Sequence, residues 1–148
     1  MLDVPHVKLS KDKPARLTLT LWGTLAAGEP DPTSRIFARL FKGQEPTYLA
    51  ELRAAFRRAA KDDRVSQLAV DLGTLQGSMT DYAELHRIIR EFRASGKKVT
   101  TLLTQGDDWS FYVASAGDRI ILNPASPLEL MGPGFHRSEE HTSELQSH

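Results

Sequence analysis

Ser110, Asp107, Asp108 and His86 are of the types that supply a nucleophile, an orienting acid and a general base. A serine hydroxyl attacks a carbonyl only when a base removes its proton. His86 falls beside Leu85 inside a helical pattern and no motif links it to Ser110, so the spacing favours Ser110 at a helix start over a triad. Lys97 and Lys98 are bases of another kind. They follow a helix end, where the dipole favours the charged ammonium, and a solvated face is their expected setting. Asp107 and Asp108 would suit a cation, but no third carboxylate is spaced for it, so helix capping is expected. His6, His86 and His136 lack ligand spacing, and Gly73, Gly77, Gly132 and Gly134 form no phosphate fingerprint. No metal and no cofactor are expected. Trp109, Phe111 and Tyr112 have the pattern of core aromatics.

Composition narrows the class. The 148 residues make one domain, and at this length about two-thirds of the unfolded surface could be buried. Hydrophobic residues are 40% and charged residues 26%, as in a soluble globular domain. Formal net charge is zero, so the totals suggest no electrostatic binding to nucleic acid or acidic lipid. Cysteine is absent, which excludes disulfides, thiolate catalysis and zinc–thiolate sites. No apolar run approaches about 18 residues. Met1 to Lys8 form no signal-peptide core, and this chain alone is expected to stay in the cytoplasm.

The elements that must position these groups are legible as periods. Residues 1–15 are polar, with two prolines, and read as an extended opening segment. Arg16 to Trp22 alternates Leu17, Leu19 and Leu21 with polar residues, the period of a half-buried strand. Gly28 to Pro32 is a loop, and Ile36, Phe37, Leu40 and Phe41 have helical spacing. Thr47 to Lys61 is the clearest helix, with Thr47 as cap and a stripe through Leu49, Leu52 and Phe56. Val65 to Leu72 reads as a buried strand and Gly73 to Ser78 as a loop. Ser78 or Thr80 caps a second helix, whose stripe is Leu85, Ile88, Ile89 and Phe92 and whose end is a left-handed Gly96. Lys98 to Leu103 is a strand, Trp109 to Ala116 a short helix, Arg119 to Leu122 a strand, and Leu128 to Leu130 a further short strand. The alternation predicts an α/β fold with right-handed crossovers and a mostly parallel sheet flanked by helices.

Five landmarks on this framework fall in one order: Leu17-Thr18-Leu19 with Gly23, Ala59-Ala60-Lys61-Asp62-Asp63-Arg64-Val65, Val70-Asp71-Leu72, Glu91 to Lys97, and Phe111 to Ile120 with its Ala-Ser-Ala-Gly-Asp. In that order they resemble the signal peptide peptidase A (protease IV-like) serine peptidases, over residues 16–136. The resemblance implies a Clp-protease/crotonase-like fold, here the N-terminal half and incomplete. Family members join two such halves and use a serine–lysine dyad. The lysine sits in a Gly-x-Tyr-Lys-Ser type segment of the first half, the serine in a Ser-Gly-Gly-Tyr-Tyr type segment of the second. The place of that serine is here Asp108, followed by Trp109 and Ser110 instead of two glycines. The resemblance therefore implies no catalytic residue in this chain, with the family lysine expected beyond its last residue. It leaves Asp108, Trp109, Ser110 and Phe111 as substrate-groove candidates. It also implies a peptide substrate, a C-terminal half as partner, a homo-oligomer, no nucleic acid, and a parent at the bacterial cell membrane. A half isolated from its partners is expected to expose apolar surface and aggregate.

Residues 137–148, Arg-Ser-Glu-Glu-His-Thr-Ser-Glu-Leu-Gln-Ser-His, resemble the translation of a sequencing-library adapter. Leu145 is their only apolar residue, and they are set aside as a non-native polar tail. Two other readings stand beside the peptidase half. One is a non-catalytic binding or scaffold domain of crotonase-like fold. The other is an acyl-CoA enzyme of that fold, which needs two glycine-bearing loops for an oxyanion hole. The Gly73–Ser78 loop would provide one, and no second is visible.

Overall fold

A computed structural model describes residues 14–28, 46–126 and 128–132. The expected helix through Ile36 to Phe41, the opening segment up to residue 13 and the tail at 137–148 lie outside these residues. The described elements run β1 (Ala15–Ala26), β2 (Thr47–Tyr48), α1 (Leu49–Lys61), β3 (Val65–Gln76), α2 (Met79–Arg93), β4 (Lys98–Leu103), β5 (Gly106–Asp107), α3 (Asp108–Ala114), β6 (Arg119–Leu122) and β7 (Leu128–Glu129). Five strands form one sheet in the order β2-β1-β3-β4-β6, and every pairing is parallel. β5 and β7 form a separate parallel pair. The α/β class with a mostly parallel sheet is thus the architecture.

The three helices lie side by side, α2 between α1 and α3. They share one apolar cluster with Leu21, Leu68, Val70, Leu72, Val99 and Leu103, which point to the same side of the sheet. Phe56 of α1 meets Phe92 of α2 edge-on at 5.7 Å. The alternate side carries Thr18, Thr20 and Trp22, all exposed, so the helices cover one face of the described sheet.

Local chemistry accounts for most boundaries. Ser78 caps α2 in a capping box. Its hydroxyl accepts from the Asp81 N–H, and the Asp81 carboxylate accepts from the Ser78 N–H at 2.8 Å. Gly96 ends the helix with φ +86, a conformation that penalises any Cβ. β4 and β6 have the expected bounds.

Four expectations need correction. Thr47 does not cap α1; it pairs with Leu25 in β2, and the N-cap is Tyr48, which gives no side-chain hydrogen bond. β3 does not stop at Leu72. It runs to Gln76, because Leu75 and Gln76 continue the ladder with Gly23 and Thr24. The Gly73–Ser78 loop, and the oxyanion donors it was to supply, therefore shrink to Gly77 and Ser78. Leu128–Glu129 does form a strand, but it pairs with β5 outside the main sheet.

Lys97 is the fourth. It is half-buried, and its ammonium donates to the carbonyls of Ala59 at 2.8 Å and Asp62 at 2.6 Å. Those carbonyls close the end of α1, where a cation offsets the negative pole of the helix. Lys98 does sit in solvent, 3.9 Å from Asp118.

Candidate functional site, a cleft at the carboxyl ends of the strands

Ligands of open parallel sheets bind beyond the carboxyl ends of the strands, because connections diverge there. In this molecule that position holds a cleft of about 310 Å³, lined by Thr74, Gln105, Gly106, Asp107, Ser110 and Glu129. Its floor is set by hydrogen bonds. The Thr74 hydroxyl meets Gln105 Oε1 at 2.6 Å. Asp107 is the N-cap of α3, its carboxylate accepting from the Ser110 N–H at 2.7 Å. The Leu128 side chain on the paired strand packs over Gly106, in the space a Cβ there would take.

The four groove candidates separate. Ser110 lines the cleft but is only 2% exposed. Asp108 turns to the chain's later segment and accepts from the N–H groups of Met131 at 3.2 Å and Gly132 at 3.1 Å. At the position the resemblance gives to a nucleophile, this carboxylate therefore acts as a clamp. Trp109 lies flat on Tyr82 at 5.4 Å, and Phe111 packs against the core. Thr74, Gln105, Asp107 and Glu129 complete the lining. Asp107 was legible as a capping residue. Thr74 and Glu129 carried no signal, because their nearness depends on β3 running long and on β7 pairing with β5.

No triad assembles. The His86 ring stacks on Tyr112 at 4.5 Å, and its Nε2 lies 3.4 Å from Ser115 Oγ. The Ser115 hydroxyl already donates to the Tyr112 carbonyl at 2.6 Å, which spends its proton on the backbone. Burial, helped by the Arg90 charge, holds the imidazole below its usual pKa and therefore neutral near pH 7. The Tyr82 phenol is pushed up by burial and by the Asp107 carboxylate, and its OH donates to the Leu75 carbonyl at 3.0 Å. Lys98 begins β4 and Lys97 precedes it, at the opposite end of a strand roughly 20 Å long, so neither serves the cleft as a base.

The arrangement can accept hydrogen bonds and attract positive charge, but it holds no activated nucleophile among the described residues. Those residues include no cluster of three or more histidine, aspartate or glutamate side chains placed to hold a metal ion. No helix among them is long and apolar enough to cross a membrane. No protein-family model and no curated protein matches this chain.

Proposed function

We propose that this chain is the lysine-side half of a serine peptidase resembling the signal peptide peptidase A group, with a Clp-protease/crotonase-like fold. The half positions substrate and does not itself cleave. The observation that carries this reading is the place of the Phe111–Ile120 block. It supplies the last four residues of α3 and leads into β6, and it directly follows Ser110, which lines the cleft beyond the strand ends. A peptide laid along that cleft would meet Thr74, Gln105 and Glu129. The hydrolytic groups would come from segments outside the residues seen here. Peptide hydrolysis needs a serine and a lysine whose ammonium has been made neutral by burial. Among the described residues, Lys97 caps a helix end and Lys61 and Lys98 are exposed.

The non-catalytic binding domain is favoured by one separate observation. Asp108, at the place of the family serine, is tied to the backbone of Met131 and Gly132 and has a purely structural duty.

Resequencing the source DNA past the codon for Phe135 tests the choice. A frame that continues into a Tyr-Lys-Ser segment and later a Ser-Gly-Gly segment supports the peptidase half. A genome that encodes Arg137 to His148 followed by a stop replaces it with the binding domain. The purified chain should leave a denatured peptide substrate uncut; cleavage by the chain alone would sink the reading.

A further inference from the structure

The helices cover one face of the sheet, and among the described residues no element covers the other. Parallel pairing puts facing residues on the same side, so the open face is laid out in rows. One row is Thr18, Ala69, Thr100 and Arg119, and the next is Thr20, Asp71, Leu102 and Ile121. Trp22 follows on β1 toward the carboxyl end and is 56% exposed, and Ile121 is 38% exposed. The Asp71 carboxylate accepts from the Thr104 hydroxyl at 2.7 Å. The middle of the face is otherwise apolar or hydroxyl-bearing, with Arg16 and Arg119 at its amino border. All-parallel sheets are ordinarily covered on both faces.

Strand order says which part of the chain belongs there. From β2 through α1 to β3, from β3 through α2 to β4, and from β4 through α3 to β6, the chain steps across the sheet in one direction, with its helix on the covered face. The step from β1 to β2 runs the opposite way. Parallel crossovers share one hand, so a step in the opposite direction carries its connection over the opposite face. Such a crossover takes about a dozen residues or more, and this one has residues 27–46. Ile36, Phe37, Leu40 and Phe41 give it an apolar stripe of helical spacing. The covered face is already filled by three helices.

We propose that residues 29–45 dock on the open face of their own sheet, with the stripe of Ile36, Phe37, Leu40 and Phe41 set against Trp22 and Leu102. The connection leaves Ala26 and returns at Thr47, both at the carboxyl ends of the strands, so Trp22 is the first large side chain it meets. Both sides of the contact are apolar and both belong to one chain. Closing it loses none of the free translation and rotation that a separate partner would give up. The contact is independent of whether the chain belongs to a peptidase. It does change what a peptidase half would leave exposed, since this face is then no surface for a C-terminal half or for a second copy.

Fluorescence of the full 148-residue chain tests the proposal. The chain has two tryptophans, and Trp109→Phe leaves Trp22 alone while keeping an aromatic ring on Tyr82. In that chain Trp22 emission should be blue-shifted from its urea-unfolded value and shielded from acrylamide, equally at every protein concentration. Adding Phe37→Ser and Leu40→Ser should shift the emission to the red and restore quenching, with circular dichroism unchanged. Trp22 that is open to acrylamide before the serines are added overturns the proposal. So does shielding that survives the two serines. Shielding that appears only as concentration rises overturns it as well and gives the face to a second copy. Cysteine is absent, so a cross-link supplies a second test that does not depend on the serine variant folding. With Thr20→Cys and Leu40→Cys, a short bifunctional maleimide should join the two thiols within one chain. Thiols left unjoined, or joined only between chains, overturn the proposal.

Discussion

The amino end and the carboxyl end of the sheet use the same strands, yet they are held in different ways. At the amino end, charged groups tie chain segments that are far apart in sequence. Lys97 closes α1. Asp118 accepts from the Val99 N–H at 2.9 Å and pairs with Arg93, linking α2, β4 and the start of β6. Asp62 chelates Arg64, and this hydrogen bonding holds its carboxyl at about 2. At the carboxyl end no ion pair is among the long-range ties described above, which are hydrogen bonds from Thr74 to Gln105 and from the Met131 and Gly132 N–H groups to Asp108, set beside local caps and two-residue strands, and Met131 is 89% exposed. One end is closed by charged side chains, and the other opens as a cleft. Binding surfaces commonly occupy the less constrained end of a rigid scaffold.

The sharpest way to test that contrast is to break what both ends share. Leu85 is fully buried, and Leu85→Ala should cost about 3–5 kcal/mol by leaving a cavity. In hydrogen exchange both ends should then lose protection together; loss at one end alone would mean the core is not common to them. Lys97→Met comes next. Leaving the Ala59 and Asp62 carbonyls without their charged donor should cost about 1.5–3 kcal/mol, read from denaturant midpoints. The loss of protection should fall on Val65 and Val99, with the cleft unchanged. Asp107→Ala should cost about 1 kcal/mol through the lost cap of α3, and its effect should stay at the cleft end, with Asp107→Asn close to wild type.

The smallest expected effect is on pH dependence. Burial lowers the His86 pKa below its unfolded value near 6.5, so the unfolded chain takes up the proton first. The contribution of neutral His86 is fully present above the unfolded pKa and is lost as pH falls through the folded one. Thermal midpoints should fall on acidification from pH 7 to 5, and His86→Gln should flatten that slope. A second loss should follow at lower pH. The Val99 N–H and the Arg93 and Lys98 charges hold Asp118 low, and Arg64 holds Asp62 low, so both carboxylates support folding above about pH 4 and cease to as they protonate. A midpoint that rises on acidification would contradict the assignments.

Much of this framework was legible because its signals are local. Lys98–Leu103 and Arg119–Leu122 emerged with their observed bounds, since short apolar runs between turn residues have few other uses. Ser78 with Asp81 and the positive φ of Gly96 follow from backbone chemistry within four residues. The failures share a different cause. Thr47 has the right type for a cap, but pairing with Leu25 claimed it. Gly73 and Thr74 read as loop until the ladder with β1 carried them on as strand. Lys97 looked solvated because the carbonyls it caps lie 35 and 38 residues away in sequence.

The sequence by itself determined the α/β class, the order of elements, the inward stripes of both long helices, and the capping duty of Asp107. Each depends on periodicity or on contacts a few residues apart, and those are written in the chain directly. Tertiary structure alone decided that Asp108 clamps Met131 and Gly132, that His86 meets Ser115 instead of Ser110, and that Thr74, Gln105 and Glu129 wall one cleft. It also decided that, among the described residues, exposed bases gather where the strands begin and acids where they end. Distance between charges is fixed by parallel pairing and by the return of the helices, and neither can be summed from composition.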